Sequence, residues 1–290
     1  MKLLLKFNLI FIIVMALGVA VSGWISRSML QEQAQQEVLG GARLLMEQAS
    51  AVRAYTSNQI TKLLQEQMKV EFLPQSVPSY SATEVLATLH TKYPEYAYKE
   101  ATLNPTNPRD RAVGWEVDIV NSFRADEALK EFVGQRDTPT GKSLYIARPL
   151  RITNGACLVC HSSLEAAPKT MVDKYGPANG FGWQMNEVVG AQVVSVPMAL
   201  PLARAEQNFK LFIASLVGVF VVVGVVLNVM IWWVVVRPVT RLSELADRVS
   251  QGELNAPDFV STSKDEIGVL TESFARMKTS VVQAMKMLEN

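Results

Sequence analysis

Residues Leu211–Val236, LFIASLVGVFVVVGVVLNVMIWWVVV, contain no charged side chain, and Asn228 is their only strongly polar one. At about 1.5 Å of rise per helical residue the run outreaches a hydrocarbon core of roughly 30 Å, so it reads as a membrane span. The rest of the chain is organised around it. Hydrophobic residues make up 49% of the 290 and charged ones 19%, which places the apolar residues in particular segments rather than in one soluble core. A net charge of +1 gives no reason to expect nucleic acid as a partner.

Upstream, Phe7–Ile25 (FNLIFIIVMALGVAVSGWI) is a second uncharged run. Lys2 and Lys6 precede it as a basic region, and Ala20-Val21-Ser22 offers small residues for cleavage, the pattern of a signal peptide. Apolar Trp24 and Ile25 continue beyond that point and a helical pattern follows, which favours an uncleaved anchor. Lys2 and Lys6 before the first span, with Arg237 and Arg241 after the second, place both termini in the cytoplasm by the positive-inside rule; Arg27 and Lys210 weaken the bias without reversing it. The expected organisation is a cytoplasmic N-terminus and first span over 1–26, a periplasmic domain over 27–210, a second span over 211–236 and a cytoplasmic module over 237–290. The location is a bacterial inner membrane.

Between the spans, Ser28–Met68 lacks proline and carries apolar residues at Val38, Ala42, Leu45, Ala49 and Val52, steps of four and three that define a helical stripe. Leu73-Pro74 and Val77-Pro78 end it. Ser81–His90 reads as a short helix capped by Ser81 or Thr83, and Asn104-Pro105 with Asn107-Pro108 as a loop. Strands are expected at 114–120, 143–152 and 188–196, separated by turns such as TPTGK and YGPANGFG. Gly176, Gly180 and Gly182 lack dinucleotide-loop spacing and read as turn residues. The pattern is α+β.

Both cysteines of the chain and one of its two histidines fall in Cys157–Ser163, CLVCHSS. Three chemistries share this spacing. A structural zinc site needs about four protein ligands, and only His90 remains to join Cys157, Cys160 and His161. A redox dithiol belongs at a helix start in a βαβ unit, which the surrounding RPLRITNGACLVCHSS does not resemble, and a plain disulfide leaves His161 unexplained. Covalent haem uses every part: two thiols add to the porphyrin vinyl groups and the adjacent imidazole ligates the iron. One haem c, held by Cys157 and Cys160 with His161 as proximal ligand, is the expectation. Tyr145, Phe181 and Trp183 are candidate pocket walls, and Arg148 is a candidate partner for a propionate. The sixth iron position stays open; His90 and the methionines Met46, Met68, Met171, Met185 and Met198 are the side chains weighed for it.

The blocks AVRAYTSNQI, EFLPQSVPSYSA, YAYKEATLNPTNPRDRA, ARPLRITNGACLVCHSS and YGPANGFGWQMNEVVGAQVVSVPM together resemble the periplasmic single c-haem sensor domains of PAS-like fold. The resemblance runs from about Gln31 to Arg204. It implies a sheet flanked by helices, with haem bound through Cys157, Cys160 and His161. In that family the distal ligand can come from the first helix, where a cysteine is possible; this chain has no third cysteine, so Met46 and Tyr55 on that helix are the substitutes.

After the second span, RPVTRLSELADRVSQGEL and DEIGVLTESFARM resemble a HAMP module. The first carries a stripe at Val239, Leu242, Ala246 and Val249; the second opens with Asp265 and Glu266 and continues through Ile267, Leu270, Phe274, Met277 and Val281. The resemblance implies pairing with a second copy in a parallel four-helix bundle, hence a homodimer. The expected function is a membrane-bound haem sensor, not an enzyme. It responds to the redox state of the iron or to a gaseous ligand and signals through the second span and HAMP. The alternative is a tethered electron-transfer cytochrome with a periplasmic redox partner, which leaves HAMP without a task. No kinase, cyclase or chemoreceptor tip appears before Asn290, so output is expected from a longer receptor or a separate cytoplasmic partner.

Overall fold

The computed structural model describes residues 3–139, 141–253, 257 and 264–288. Lys2, used above to orient the first span, Thr140 of the TPTGK turn and the final Asn290 lie outside them. In chain order the elements are α1 (Leu3–Tyr55), α2 (Thr61–Met68), α3 (Pro78–Lys92), β1 (Ala97–Thr102), α4 (Gly114–Ala125), β2 (Phe132–Thr138), β3 (Gly141–Arg151), α5 (Leu158–His161), α6 (Lys169–Tyr175), β4 (Val188–Pro197), α7 (Ala199–Ile231), α8 (Arg237–Ser250) and α9 (Glu266–Leu288). They form two units, Arg27–Gln207 and a second built from Met1–Ser26 with Asn208–Asn290.

The first unit is α+β. Its four strands form one sheet in the order β1-β4-β3-β2, and every neighbouring pair is antiparallel. Residues of opposite parity along the central strands feed two cores. On one face Val38, Ala42 and Met46 of α1 pack with Leu144, Ile146, Val194 and Val196. On the other, Ile119, Val120 and Phe123 of α4 pack with Ala101, Ala147, Ala191 and Val193. Each large apolar side chain withdrawn from water in this way contributes about 1.5–3 kcal/mol. A smaller cluster joins Ala49 of α1 to Ala82 and Leu86 of α3.

Two expectations are corrected. The stretch 114–120 is the start of α4, not a strand. Its alternating Trp115, Val117 and Ile119 also satisfy a helical face with Val120 and Phe123, and Glu116 secures the helix start by accepting the Val113 N–H at 2.9 Å. Helix α3 begins at Pro78, ahead of Ser81, because proline's missing N–H falls where a helix has no internal acceptor for it. The glycines at 176, 180 and 182 all have φ between 82° and 89°, as turn residues do.

Two helical runs, Leu4–Met68 and Ala199–Ser250, are long and apolar enough to cross a membrane. Within the second unit the apolar stretches meet along an antiparallel seam. Asn8 and Asn228 exchange reciprocal amide hydrogen bonds of 2.8 Å each. Gly224 seats the Phe11 ring and Gly23 seats Ile213, with 3.0 and 3.1 Å between those side chains and any Cβ added at the glycines. A π-helical turn at Trp232–Val236 precedes Pro238, which has no N–H to donate into the helix, and Arg237 lies over the rings of Trp232 and Trp233. Beyond it, Leu245 and Val249 of α8 bury against Phe274 of α9. Leu242 is buried as well, whereas Val239 of the expected stripe is exposed. Asp265 caps α9, its Oδ1 accepting the N–H groups of Ile267 and Gly268 at 3.1 and 3.0 Å.

Candidate functional site

The chain leaves β3 at Ile152 and returns to β4 through a long connection whose base is closed by two backbone bonds: Ile152 N–H to Glu187 C=O at 2.9 Å and Asn186 N–H to Ile152 C=O at 2.8 Å. Within it, the Asn154 side chain accepts the Ala156 N–H at 2.9 Å and its carbonyl accepts Cys157 N–H at 3.1 Å. This turn starts α5. One helical turn then places Cys157, Cys160 and His161 at positions i, i+3 and i+4, on one face. Neither cysteine is joined in a disulfide, and both are half-buried. Burial, and then the neighbouring Cys157, push the Cys160 thiol above its ordinary pKa. A redox dithiol is normally activated in the opposite direction.

His161 is gripped on three sides. Its Nδ1 lies 2.7 Å from the carbonyl oxygen of Gly180, and its ring stacks on Trp183 with centroids 4.0 Å apart and planes at 17°. The Thr106 hydroxyl stands 3.5 Å from the same nitrogen. A carbonyl only accepts, so Nδ1 carries the proton. Burial lowers the pKa of His161, opposed by the Gly180 bond, so the ring is held neutral with its lone pair on Nε2. Two thiols and an Nε2 lone pair on one helical face are the donor set that covalent haem requires, and the residues present fit it.

The loop that orients His161 is itself built into the domain. Trp183 and Gly182 donate their N–H groups to the carbonyls of His161 and Ser162, both at 3.1 Å. Gly180 N–H donates to Asn104 Oδ1, and Asn104 Nδ2 donates to the Phe181 carbonyl, both at 3.3 Å. A Cβ on Gly180 would collide with the Thr106 side chain and stand 2.9 Å from Thr106 Cα, and its φ of +89° already favours glycine.

Of the expected pocket residues, Trp183 packs on His161 and Phe181 joins the loop through its carbonyl. Tyr145 lies on the α4 side of the sheet, 4.8 Å from Trp115 and 6.2 Å from Phe132 by ring centroids. Arg148 is committed to Glu47 at 2.6 Å and Glu131 at 3.3 Å. Met46 is fully buried in the α1 core cluster, and Tyr55 projects from α1 half exposed. His90 sits exposed, its Nδ1 2.7 Å from the Tyr96 carbonyl. Asn104, Thr106 and Gly180 were not expected at the site. Their signals were faint: two members of an Asn-Pro loop and one of several turn glycines.

The architecture is thus an α+β domain with a CxxCH turn, preceded in sequence by one helix long and apolar enough to cross a membrane and followed by another. Residues 31–197 match the model of the Tll0287-like family, and the chain belongs to that family. Residues 230–283 match the HAMP domain. Heme sensor protein HssS from two strains of Staphylococcus epidermidis is 26% identical over 112 residues, which are 39% of this chain and 24% of those proteins. The chain thus spans about a quarter of the length of these relatives. The crystal structure of the cyanobacterial heme-protein Tll0287 aligns with 17% identity and a TM-score of 0.43, covering 56% of this chain and 95% of that one.

Proposed function

We propose that this chain is a two-pass inner-membrane haem sensor. Residues 1–26 supply the cytoplasmic N-terminus and first span, 27–210 a periplasmic domain, 211–236 the second span and 237–290 the HAMP module. Cys157 and Cys160 hold one haem c through thioether bonds, and His161 Nε2 is its proximal ligand. The observation that carries this reading is the His161–Gly180 bond, because it fixes the tautomer and the ring plane in which an imidazole binds iron. The family match and the names of its relatives support it.

When bound, the haem supplies one-electron chemistry and an iron to which a small ligand can bind. The residues do the rest. Gly180 and Trp183 orient the imidazole; Asn104 holds Gly180 and Thr106 stands beside the ring nitrogen Nδ1; β1 and β4 flank the loop. A signal requires that a change at the iron favour one packing of this shell over another, since a stimulus with equal affinity for both shifts nothing. The second span carries that bias to HAMP, which pairs with a second copy and acts on a cytoplasmic output partner.

The test is mass spectrometry of the full chain made in a host with working cytochrome maturation, combined with a reduced-minus-oxidised spectrum. One added haem and a c-type band are expected, both lost in Cys157→Ala/Cys160→Ala. An unmodified wild-type mass refutes the proposal. Deletion beyond Arg237 separates sensing from electron transfer: it abolishes output from a sensor and leaves a tethered cytochrome working.

A further inference from the structure

The carbonyl that fixes His161 belongs to the middle one of three consecutive peptide groups, and one side chain holds the two outer ones. Asn104 Oδ1 accepts the Gly180 N–H and Asn104 Nδ2 donates to the Phe181 carbonyl, both at 3.3 Å. The peptide between them presents the Gly180 oxygen, 2.7 Å from His161 Nδ1. The amide fits in one orientation only: turned over, it would set its NH2 against the Gly180 N–H and its oxygen against the Phe181 oxygen. Thr106 stands 3.5 Å from Nδ1, beyond the roughly 2.7–3.2 Å of ordinary N–H···O bonds, so it does not replace Gly180 as acceptor.

What Asn104 adds is an attachment to the sheet. Gly182 and Trp183 donate to Ser162 and His161, so these bonds travel with α5 and give the loop no outside reference. Asn104 follows Leu103, whose N–H donates to the Val189 carbonyl of β4 at 3.2 Å, and precedes Pro105, which is buried and restricts its neighbour to extended backbone. Farther out, Arg111 donates to Asn179 Oδ1 at 3.4 Å, an exposed pair that touches neither end of the accepting peptide.

We propose that Asn104 is a positioning residue for the iron: by clamping the Gly180 carbonyl on His161 it holds the reduction potential down. This rests on the haem reading above. In the half-reaction Fe(III) takes up one electron to become Fe(II). A carbonyl that accepts Nδ1–H makes the imidazole a stronger electron donor, and a stronger donor favours Fe(III) over Fe(II). Without the clamp the carbonyl drifts from Nδ1, the imidazole donates less, and the potential rises.

The experiment is potentiometric titration of the full haem-loaded chain in nanodiscs, with dithionite as reductant and ferricyanide as oxidant. Asn104→Leu, close in size and without either bond, is expected to raise the potential by a tenfold change in the oxidised-to-reduced ratio, about 59 mV for one electron. Asn104→Ser, whose short side chain suits a loop and cannot span both groups, should shift it the same way and serves if the leucine variant fails to fold. Because Gly180→Ala displaces the same carbonyl, the double variant Asn104→Leu/Gly180→Ala should shift by less than the sum of its parts. A second measurement needs no haem: in the Cys157→Ala/Cys160→Ala chain, adding Asn104→Leu should speed amide exchange over 178–186 while 191–196 stays protected. A potential that falls, a shift below twofold, additive shifts, or unchanged exchange over 178–186 overturns the inference, and haem-loaded wild type then leaves the functional proposal standing. Wild type that carries no haem sinks that proposal and the claim about potential with it, while the exchange result still decides whether Asn104 holds the loop.

Discussion

Gly180→Ala tests the support beneath His161 most directly. The glycine has φ of +89°, and a Cβ there would strike the Thr106 side chain and lie 2.9 Å from Thr106 Cα. Holding an alanine in that backbone region costs about 1–3 kcal/mol. If the loop moves to relieve the collision, the Gly180 carbonyl leaves the 2.7 Å bond to His161 Nδ1, a further loss of about 0.5–1.5 kcal/mol. Taken together the cost is about 3 kcal/mol, roughly a hundredfold in the local opening equilibrium. Hydrogen–deuterium exchange of the full chain in nanodiscs is the assay, read on peptides covering 156–163 and 178–186. Both should exchange faster by that order, while a peptide from the β4 core at 191–196 stays protected. Adding Thr106→Ala removes the hydroxyl collision but not the φ strain, so part of the protection returns. Wild-type exchange in both site peptides of the single variant would refute the claim that Gly180 holds His161 in place.

Three other outcomes are expected. Replacing Asn8 or Asn228 by Leu leaves one amide unpaired in hydrocarbon, whereas the double replacement removes both; a double-mutant cycle on unfolding in bicelles should give a coupling of about 0.6–2 kcal/mol, and a value near zero contradicts the amide pair. Burial raises Asp110 from the ordinary 3.8 to about 6, with Arg109 opposing. A carboxylate raised on folding favours its protonated form, so its contribution to stability is complete below about pH 4 and is lost as pH rises through about 6. Asp110→Asn should flatten stability across that window, and an unchanged slope counts against the burial argument. Phe123→Ala empties a fully buried position between α4 and the sheet and should cost about 3–5 kcal/mol in the first unit, seen as a lower thermal midpoint without change in the second.

Much of the architecture was legible because its signals are local. Leu211–Val236 announces itself by lacking charge, and β3 and β4 by apolar runs that the sheet buries on both faces. Strand β1 was invisible: its sequence AYKEAT turns Tyr98, Glu100 and Thr102 toward one face, and the burial of Glu100 depends on Arg53, roughly fifty residues away in sequence. Strand β2 reads FVGQRDT because an edge strand needs little apolar surface. The 114–120 segment fits both periodicities over its length, and the Glu116 capping bond that decides it is a three-dimensional fact. At the site, the Cys157, Cys160 and His161 spacing was plain, but the carbonyl that orients His161 belongs to Gly180 and its supports to Asn104 and Thr106, which only the folded chain brings near.

The sheet order sets a schedule for assembly. The β2–β3 hairpin closes through a short turn, whereas β1 pairs with β4 from Ala97↔Ser195 to Thr102↔Gly190. Going from a loop of about four residues to one of about ninety is between four and five doublings, an added closure cost of about 3 kcal/mol. Strand β1 therefore docks late, after β4 has been laid against β3. Asn104 and Thr106 lie in the loop just beyond β1, so the cradle of His161 is finished only once β4 is in place for β1 to pair with. Until then the CxxCH turn lacks the supports that orient its histidine.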